Sequence, residues 1–321
     1  MPLPRWCLDG PSGHKEGEPV YRRDAAPAQA RAIVDKEGNP MTFGPKTKLQ
    51  AAVAILGAAL AVPALAQDTV TGTRGAAVMS DEELAKSLAN PVAALISVPF
   101  QFNYDRDIGA ARGGERWQLN IQPVLPVDLN PEWNLISRTI LPVVWQDEIY
   151  SGAGSQSGIG DIVQSLFFSP KAPTASGWIW GAGPVFLLPT GSDDLLSVQK
   201  WGAGPTGVAL KQDGPWTYGL LANHIWSFAG SGKQDVNATF VQPFVSYTTP
   251  TAWSFTLTTE STYDWDHEQW AVPINAVVSK VTKVGDQLVS FGGGVRYWAD
   301  GPESGPHGWG LRLLVTLLFP R

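Results

Sequence analysis

From residue 94 onward, apolar and polar residues alternate along the chain with a period of two. Ile96–Tyr104 (ISVPFQFNY) and Trp309–Phe319 (WGLRLLVTLLF) show the pattern most clearly. Since successive side chains of a strand point to opposite sides, each segment has one apolar face and one mixed or polar face. The pattern predicts twelve strands, at 94–105, 115–128, 132–147, 158–169, 177–189, 200–211, 215–228, 236–248, 252–264, 269–282, 287–298 and 308–319.

The length of these segments and the loops between them favour a barrel in a membrane. Strands of soluble sheets have about 5–6 residues, whereas a tilted strand needs about 9–11 residues to cross a bilayer. Short connections such as NPE and TPT alternate with longer ones such as DRDIGAARGG and TGSDDLLSVQ. Short periplasmic turns and long outer loops are typical of outer-membrane barrels. The predicted fold is therefore an all-β, antiparallel, up-and-down transmembrane β-barrel of about twelve strands with a short N-terminal helix.

Tryptophan positions support the same frame. The chain has 14 tryptophans, and most lie near predicted strand ends. Indole rings prefer the membrane–water interface, so two aromatic girdles are expected. The residues predicted to form them are Trp117, Trp133, Trp178, Trp201, Trp216, Trp253, Trp270 and Trp309; Trp145, Trp226, Trp265 and Trp298 lie near strand ends that lead into long loops.

The N-terminal part of the chain has a different character. Residues 41–66 combine two lysines, an apolar stretch and an A-x-A site, which is the pattern of a secretory signal peptide. Residues 1–40 are then expected to be a non-native N-terminal extension, with translation starting at Met41. Residues 67–93 form a periplasmic or plug-like segment, in which Ser80–Asn90 is predicted to be helical and capped by Ser80 and Glu83. The barrel is assigned to 94–321.

Composition excludes several other classes of protein. A net charge of −6 without a basic patch argues against nucleic-acid binding. One cysteine, Cys7, excludes a disulfide scaffold. The acidic loop DWDHE lacks the central glycine and the bidentate glutamate at the last position of an EF-hand calcium loop. No metal site is therefore predicted there, and no cofactor is predicted for the chain.

Six stretches resemble one bacterial protein family. They are LAKSLANPVAALISVPFQFNYD (84–105), GERWQLNIQPVLP (114–126), SGIGDIVQSLFFSP (157–170), WGAGPVFLLPTG (180–191), WGAGPTGVALK (201–211) and the C-terminal GPHGWGLRLLVTLLFPR. The family is described as "MetA-pathway of phenol degradation", or simply as transporters, and some of its members are mislabelled neuromedin U. The resemblance implies an outer-membrane barrel that takes up small, often aromatic or hydrophobic, molecules, and it carries over no catalytic residues. The chain ends in Phe319-Pro320-Arg321, whereas many such barrels end on an aromatic residue that the barrel-assembly machinery reads.

If the apolar face meets lipid, the polar face lines a lumen. Charges at membrane depth are costly toward lipid and tolerated toward a wet lumen. The predicted lumen residues are Arg138, Glu260, Arg296, Arg312, Gln101, Asn103, Gln118, Asn120, Gln122 and Gln164. They form either a selectivity filter for anionic or polar groups or an ion-pair network that only stabilises the barrel.

The sequence thus predicts a channel for passive uptake of small molecules in the outer membrane of a Gram-negative bacterium. Its expected partners are outer-membrane lipids, a small-molecule substrate and the barrel-assembly machinery. One alternative is a membrane-embedded hydrolase using His224, although no G-x-S-x-G motif is present. Another alternative is a structural or adhesive barrel without transport.

Overall fold

The computed structural model describes residues 79–320. The predicted extension at 1–40, the predicted signal peptide at 41–66 and the first part of the 67–93 segment lie outside these residues. Within the described part of the chain, no helix is long and apolar enough to cross a membrane.

The described chain begins with one short helix, α1 (Asp81–Leu88). The backbone N–H of Glu83 donates to Ser80 Oγ at 3.2 Å, and the N–H of Ser80 donates to Glu83 Oε2 at 2.8 Å. This reciprocal capping box satisfies two N–H groups that have no partner inside the helix. The predicted helix is therefore present at the predicted place, and it ends before Pro91.

After α1 the chain forms twelve antiparallel strands that close into a barrel, which confirms the predicted fold class. Each strand pairs with its neighbours in the chain, and the last strand pairs with the first through Ile96–Phe319 and Tyr104–Leu311. The strands are β1 (Ile96–Ile108), β2 (Gly114–Ile121 and Val124–Asp128), β3 (Trp133–Asp147), β4 (Ser155–Ile159 and Ile162–Pro170), β5 (Trp178–Leu188), β6 (Lys200–Asp213), β7 (Trp216–Gly230), β8 (Asn237–Thr248), β9 (Trp253–Thr259 and Ser261–Asp264), β10 (Gln269–Val284), β11 (Gln287–Asp300) and β12 (Gly308–Phe319).

One of the three interrupted strands, β4, changes which side chains face inward. Val143 of β3 pairs with Ile159, and Ile140 of β3 pairs with Val163. Three steps along β3 therefore correspond to four steps along β4, so β4 has one extra residue in this stretch. Such a bulge reverses the inside–outside alternation beyond it. In β2 and β9 the register is the same on both sides of the interruption, so their alternation is unchanged.

The outer face carries the apolar surface and the aromatic rings. On this face, Leu311 and Leu313 of β12 have 55% and 58% of their surface exposed. Aromatic side chains pair at both ends of the wall, for example Trp216 with Tyr247 beside a short turn and Tyr297 with Trp309 beside a long loop. A closed barrel with an apolar outer band and aromatic girdles is the structure of an outer-membrane protein, as the sequence predicted.

Helix α1 lies inside the barrel end that carries the short turns. Leu84 and Ala85 are buried there against Val281 of β10 and Leu318 of β12, which both point inward. Gln212, at the end of β6, donates through Nε2 to the carbonyl of Lys86 at 2.9 Å. Helix α1 is therefore held against inward-facing residues of the wall at this end of the barrel.

A second apolar cluster fills the β3–β8 side of the interior. Its fully buried members are Ile136, Phe167 and Leu210, and Val92, which follows α1, packs among them. The barrel interior is thus asymmetric, with an apolar side and a polar side formed mainly by β9–β12, β1 and β2.

Candidate functional site

Six charged side chains meet on the polar side of the interior; they are Asp105, Arg116, Arg138, Glu260, Arg296 and Arg312, and we call them the lumen charge cluster. Glu260, at the interruption of β9, accepts two parallel hydrogen bonds from Arg312 of β12, each 2.7 Å long. Arg312 also donates through Nε to Asn103 Oδ1 at 2.8 Å. This fork-to-fork geometry is the strong form of a carboxylate–guanidinium pair.

The contact between Glu260 and Arg312 passes over two intervening strands. The register partner of Arg312 on β11 is Gly294. A Cβ added to Gly294 would lie 2.0 Å from the carbonyl oxygen of Ala276, so a glycine is required at this position. Without a side chain there, the Arg312 guanidinium can extend along the wall toward β9.

Arg296 forms the second part of the cluster, together with an inward-facing tryptophan. Its Nε lies 3.2 Å from Asp105 Oδ1, and its Nη1 lies 3.5 Å from Glu260 Oε2. The guanidinium sits 4.7 Å from the ring centroid of Trp298, whose Nε1–H donates to Asp105 Oδ1 at 2.7 Å. Trp298 is thus a lumen residue that stacks on a cation. It lies near the end of β11, where the sequence placed it.

The two remaining arginines contact amides. Arg116 Nε donates to Gln146 Oε1 at 3.0 Å, and Arg138 Nη2 donates to Gln122 Oε1 at 2.9 Å. Within residues 79–320 neither guanidinium has a carboxylate oxygen within 4.0 Å. The cluster therefore has four arginines and two carboxylates, an excess of positive charge among these six side chains.

A cavity of about 250 Å³ lies between the charge cluster and α1, and we call it the chamber. Arg138, Glu260 and Arg312 line it on one side, and Leu88 and Ala89 of the α1 segment line it on another. Hydroxyl groups from β8 to β12 and apolar side chains such as Phe244 complete the wall. The chamber combines charged, neutral polar and apolar surfaces.

The loop 189–199, between β5 and β6, folds against the inner wall at the opposite end. Asp161, at the β4 bulge, accepts from Ser197 Oγ and the N–H of Val198, both at 2.7 Å, and from the N–H of Gly191 at 3.0 Å. Gln146, which points inward beside Arg116, donates to the carbonyl of Leu195 at 3.3 Å. This loop narrows the lumen on the side of the long loops, and α1 narrows it on the side of the short turns.

Most of the predicted lumen residues lie on the inner face, with one exception. The register places Gln101, Asn103, Gln118 and Asn120 on the same face as Arg312. Gln122 lies there as well, bonded to Arg138. The four predicted charged residues, Arg138, Glu260, Arg296 and Arg312, belong to the cluster described above. Their role as a selectivity filter stays a prediction.

The inward placement predicted for Gln164 is wrong. Gln164 pairs with Thr139 and bonds to its hydroxyl and to that of Ser137. These residues share the face on which Phe168 is 44% exposed. The reason is the β4 bulge, because one extra residue before position 164 moves every later side chain to the opposite face.

Several residues of the site were not predicted from the sequence. Asp105 and Arg116 continue the inward alternation of Asn103 and Gln118, so the period-two pattern was sufficient to find them. Trp298 follows the parity of Arg296, but its position near a strand end concealed it. Asp161 gave no sequence signal, because the bulge that turns it inward is not visible in the pattern.

The groups considered for catalysis or metal binding lie outside this site. His224 is on the outer face, where Nδ1 is 2.7 Å from Thr239 Oγ1 and the ring centroid lies 3.9 Å from that of Trp226, with the two rings tilted by 46°. In the acidic loop, His267 bonds to Asp264 at 2.9 Å. Among the described residues, no group of three or more histidine, cysteine or acidic side chains could hold a metal ion.

Comparison with solved structures shows the same fold. The crystal structure of an outer-membrane channel from Pseudomonas putida F1 matches with a TM-score of 0.55 at 15% identity, covering 70% of this chain and 96% of the other. The porin NanC (TM-score 0.43, 10% identity, 69% and 98% coverage) and outer membrane phospholipase A from Escherichia coli (0.42, 11%, 70% and 98%) match more weakly. No protein-family model matches the chain, and no curated protein is similar to it in sequence.

Proposed function

We propose that this protein is a passive outer-membrane channel for small molecules with a preference for anions. The observation that carries the proposal is the lumen charge cluster, in which four arginines face two carboxylates inside a membrane barrel. Rings of charged side chains set the selectivity of pores. An excess of guanidinium groups lowers the electrostatic barrier for anions and raises it for cations.

The proposed path runs from the long loops, past loop 189–199 and the charge cluster, into the chamber and out beside α1. In this proposal transport is passive, so the direction of flux would follow the concentration gradient of the solute. The resemblance noted in the sequence adds aromatic or hydrophobic small molecules as the substrate class, and membership of that transporter family is part of this proposal. The surrounding lipids would contact the apolar outer face.

Planar bilayers with a KCl gradient test the proposal. We expect discrete conductance and a reversal potential on the anion-selective side. Arg116→Gln should move that potential toward the cation side. Lys280→Gln is the matched control, because Lys280 lies on the outer face over Trp253 and its removal changes the net charge equally. An equal shift in both variants would contradict selection by the lumen arginines.

A barrel without transport is the second candidate, and one observation favours it. Both ends of the interior are narrowed, by α1 and by loop 189–199, and the ion pairs of the cluster are short enough to serve stability alone. Absence of conductance in bilayers, together with absence of solute uptake into vesicles, would favour this structural role over the channel.

A further inference from the structure

We infer that the chamber is a binding site for a small organic monoanion, a carboxylate on a single ring or short apolar body, with Arg138 as its anion receptor. The inference rests on the proposed function for its biological meaning, because a substrate on a passive path needs a site of this kind. Its structural basis is independent of transport and consists of the partners of Arg138, the surfaces of the chamber and its size.

The Arg138 guanidinium lines the chamber, and its hydrogen bond within the described residues goes to the neutral amide of Gln122 at 2.9 Å. A guanidinium presents five N–H donors in a planar fork that fits a carboxylate. Taking a charge out of water is costly unless a partner of opposite charge is present. A carboxylate entering the chamber would supply that partner.

The neighbouring carboxylate does not already fill this role. Glu260 lines the chamber too, but both of its oxygens are bonded to Arg312 at 2.7 Å. Arg296 lies 3.5 Å from the same carboxylate. Three arginines therefore share one glutamate at this end of the chamber, which leaves positive charge for a ligand.

The other walls fit the body of such a ligand. Phe244, Val124 and Leu314 provide apolar surface within the chamber, and Ser246, Thr256 and Ser290 provide hydroxyl groups. A cavity of about 150 Å³ is large enough for a benzene ring, so about 250 Å³ accommodates one ring with a carboxylate. Small-molecule sites usually combine an apolar wall with a few polar groups that fix the orientation of the ligand.

Equilibrium binding to the full chain in detergent micelles tests the inference, with benzoate as the anionic probe and benzamide as the neutral probe of the same shape. We expect benzoate to bind at least about tenfold more tightly than benzamide, because a charge-assisted pair is stronger than a neutral hydrogen bond. Isothermal titration calorimetry measures both. Inorganic phosphate, which lacks the ring, should bind more weakly than benzoate.

Variants then locate the site. Arg138→Gln should weaken benzoate about tenfold or more and change benzamide less than twofold. Arg138→Lys, which keeps the charge but not the fork, should give an intermediate loss. Lys280→Gln is the matched control, because Lys280 carries the same charge but lies on the outer face over Trp253 and not in the chamber wall, so it should change benzoate binding less than twofold. Heat-modifiable migration in electrophoresis verifies that each barrel is folded.

Three results would overturn the inference. They are equal affinities for benzoate and benzamide, unchanged benzoate binding in folded Arg138→Gln, and equal losses in Arg138→Gln and Lys280→Gln, which would indicate an effect of net charge alone. The same experiments distinguish failure of the proposed channel from failure of the proposed binding site. Arg138-dependent benzoate binding without conductance would refute transport and retain the site, and anion current without that binding would refute the site and retain transport.

Discussion

Glu260 is the position where one atom change should affect both stability and selectivity. Its side chain is 19% exposed, its partner Arg312 is 4% exposed, and the two 2.7 Å bonds hold their charge centres about 4 Å apart. At an effective dielectric constant of about 20, two charges at that separation interact by about 4 kcal/mol. Glu260→Gln keeps the shape and one acceptor but removes the charge.

We expect Glu260→Gln to lower the free energy of unfolding by about 3 kcal/mol, because breaking a buried pair leaves the arginine without its counter-charge. With a urea slope of about 3 kcal/mol/M, this corresponds to a midpoint shift of about 1 M. Tryptophan fluorescence of the barrel in lipid vesicles reports the transition. Glu303→Gln is the control, because Glu303 is exposed in the loop before β12 and should stay within about 0.5 kcal/mol.

A double variant separates the charge from other effects. Glu260→Gln with Arg312→Met removes both members of the pair and should recover at least half of the loss, since a buried pair replaced by apolar groups is often neutral. In bilayers, Glu260→Gln alone should increase anion selectivity, because one negative charge leaves the lumen. A midpoint equal to that of the unmodified protein, or a double variant less stable than either single variant, would refute this reasoning.

Three further predictions concern the two ends of the barrel. Leu84→Ala should cost about 2–5 kcal/mol of packing between α1 and the wall and raise the open-state conductance; an unchanged current would show that α1 does not limit it. Asp161→Ala removes three hydrogen bonds to loop 189–199, so chymotrypsin should cleave after Leu195 faster than in the unmodified protein, and equal rates would contradict its anchoring role. The bonds from Ser80 lower the pKa of Glu83, so its contribution to capping α1 is present above the carboxyl's ordinary value of 4.5 and is lost as the pH falls below it. Current should therefore rise on acidification at the α1 side, and Glu83→Gln should remove that pH dependence.

Much of the wall followed from local patterns in the sequence. Alternation in Ile96–Tyr104 and Trp309–Phe319 predicted two strands, and the structure has both of them. The capping box of Ser80 and Glu83 predicted where α1 begins. These features were accessible because strand faces and helix caps depend on residues only a few positions apart.

The errors have a common physical origin. Gln164 was assigned to the wrong face because one extra residue at Gly160–Asp161 reverses the alternation of β4, and a bulge is defined by the partner strand. The inward direction of Trp298 was not predicted, because its position near a strand end concealed its parity with Arg296. In both cases the deciding information lies in a neighbouring strand or in a contact across the lumen.

The sequence by itself determined the barrel, its strand frame and the residue types that face inward, because a period of two and a membrane-length strand leave few other arrangements. Only the tertiary structure decided which inward charges meet. Glu260 and Arg312 are 52 positions apart, and Asp105 and Trp298 are 193 positions apart. Their contacts depend on closure between β12 and β1, on Gly294 leaving room along the wall, and on α1 lying inside the barrel. A local pattern encodes none of these, because each arises from the curvature of the closed sheet.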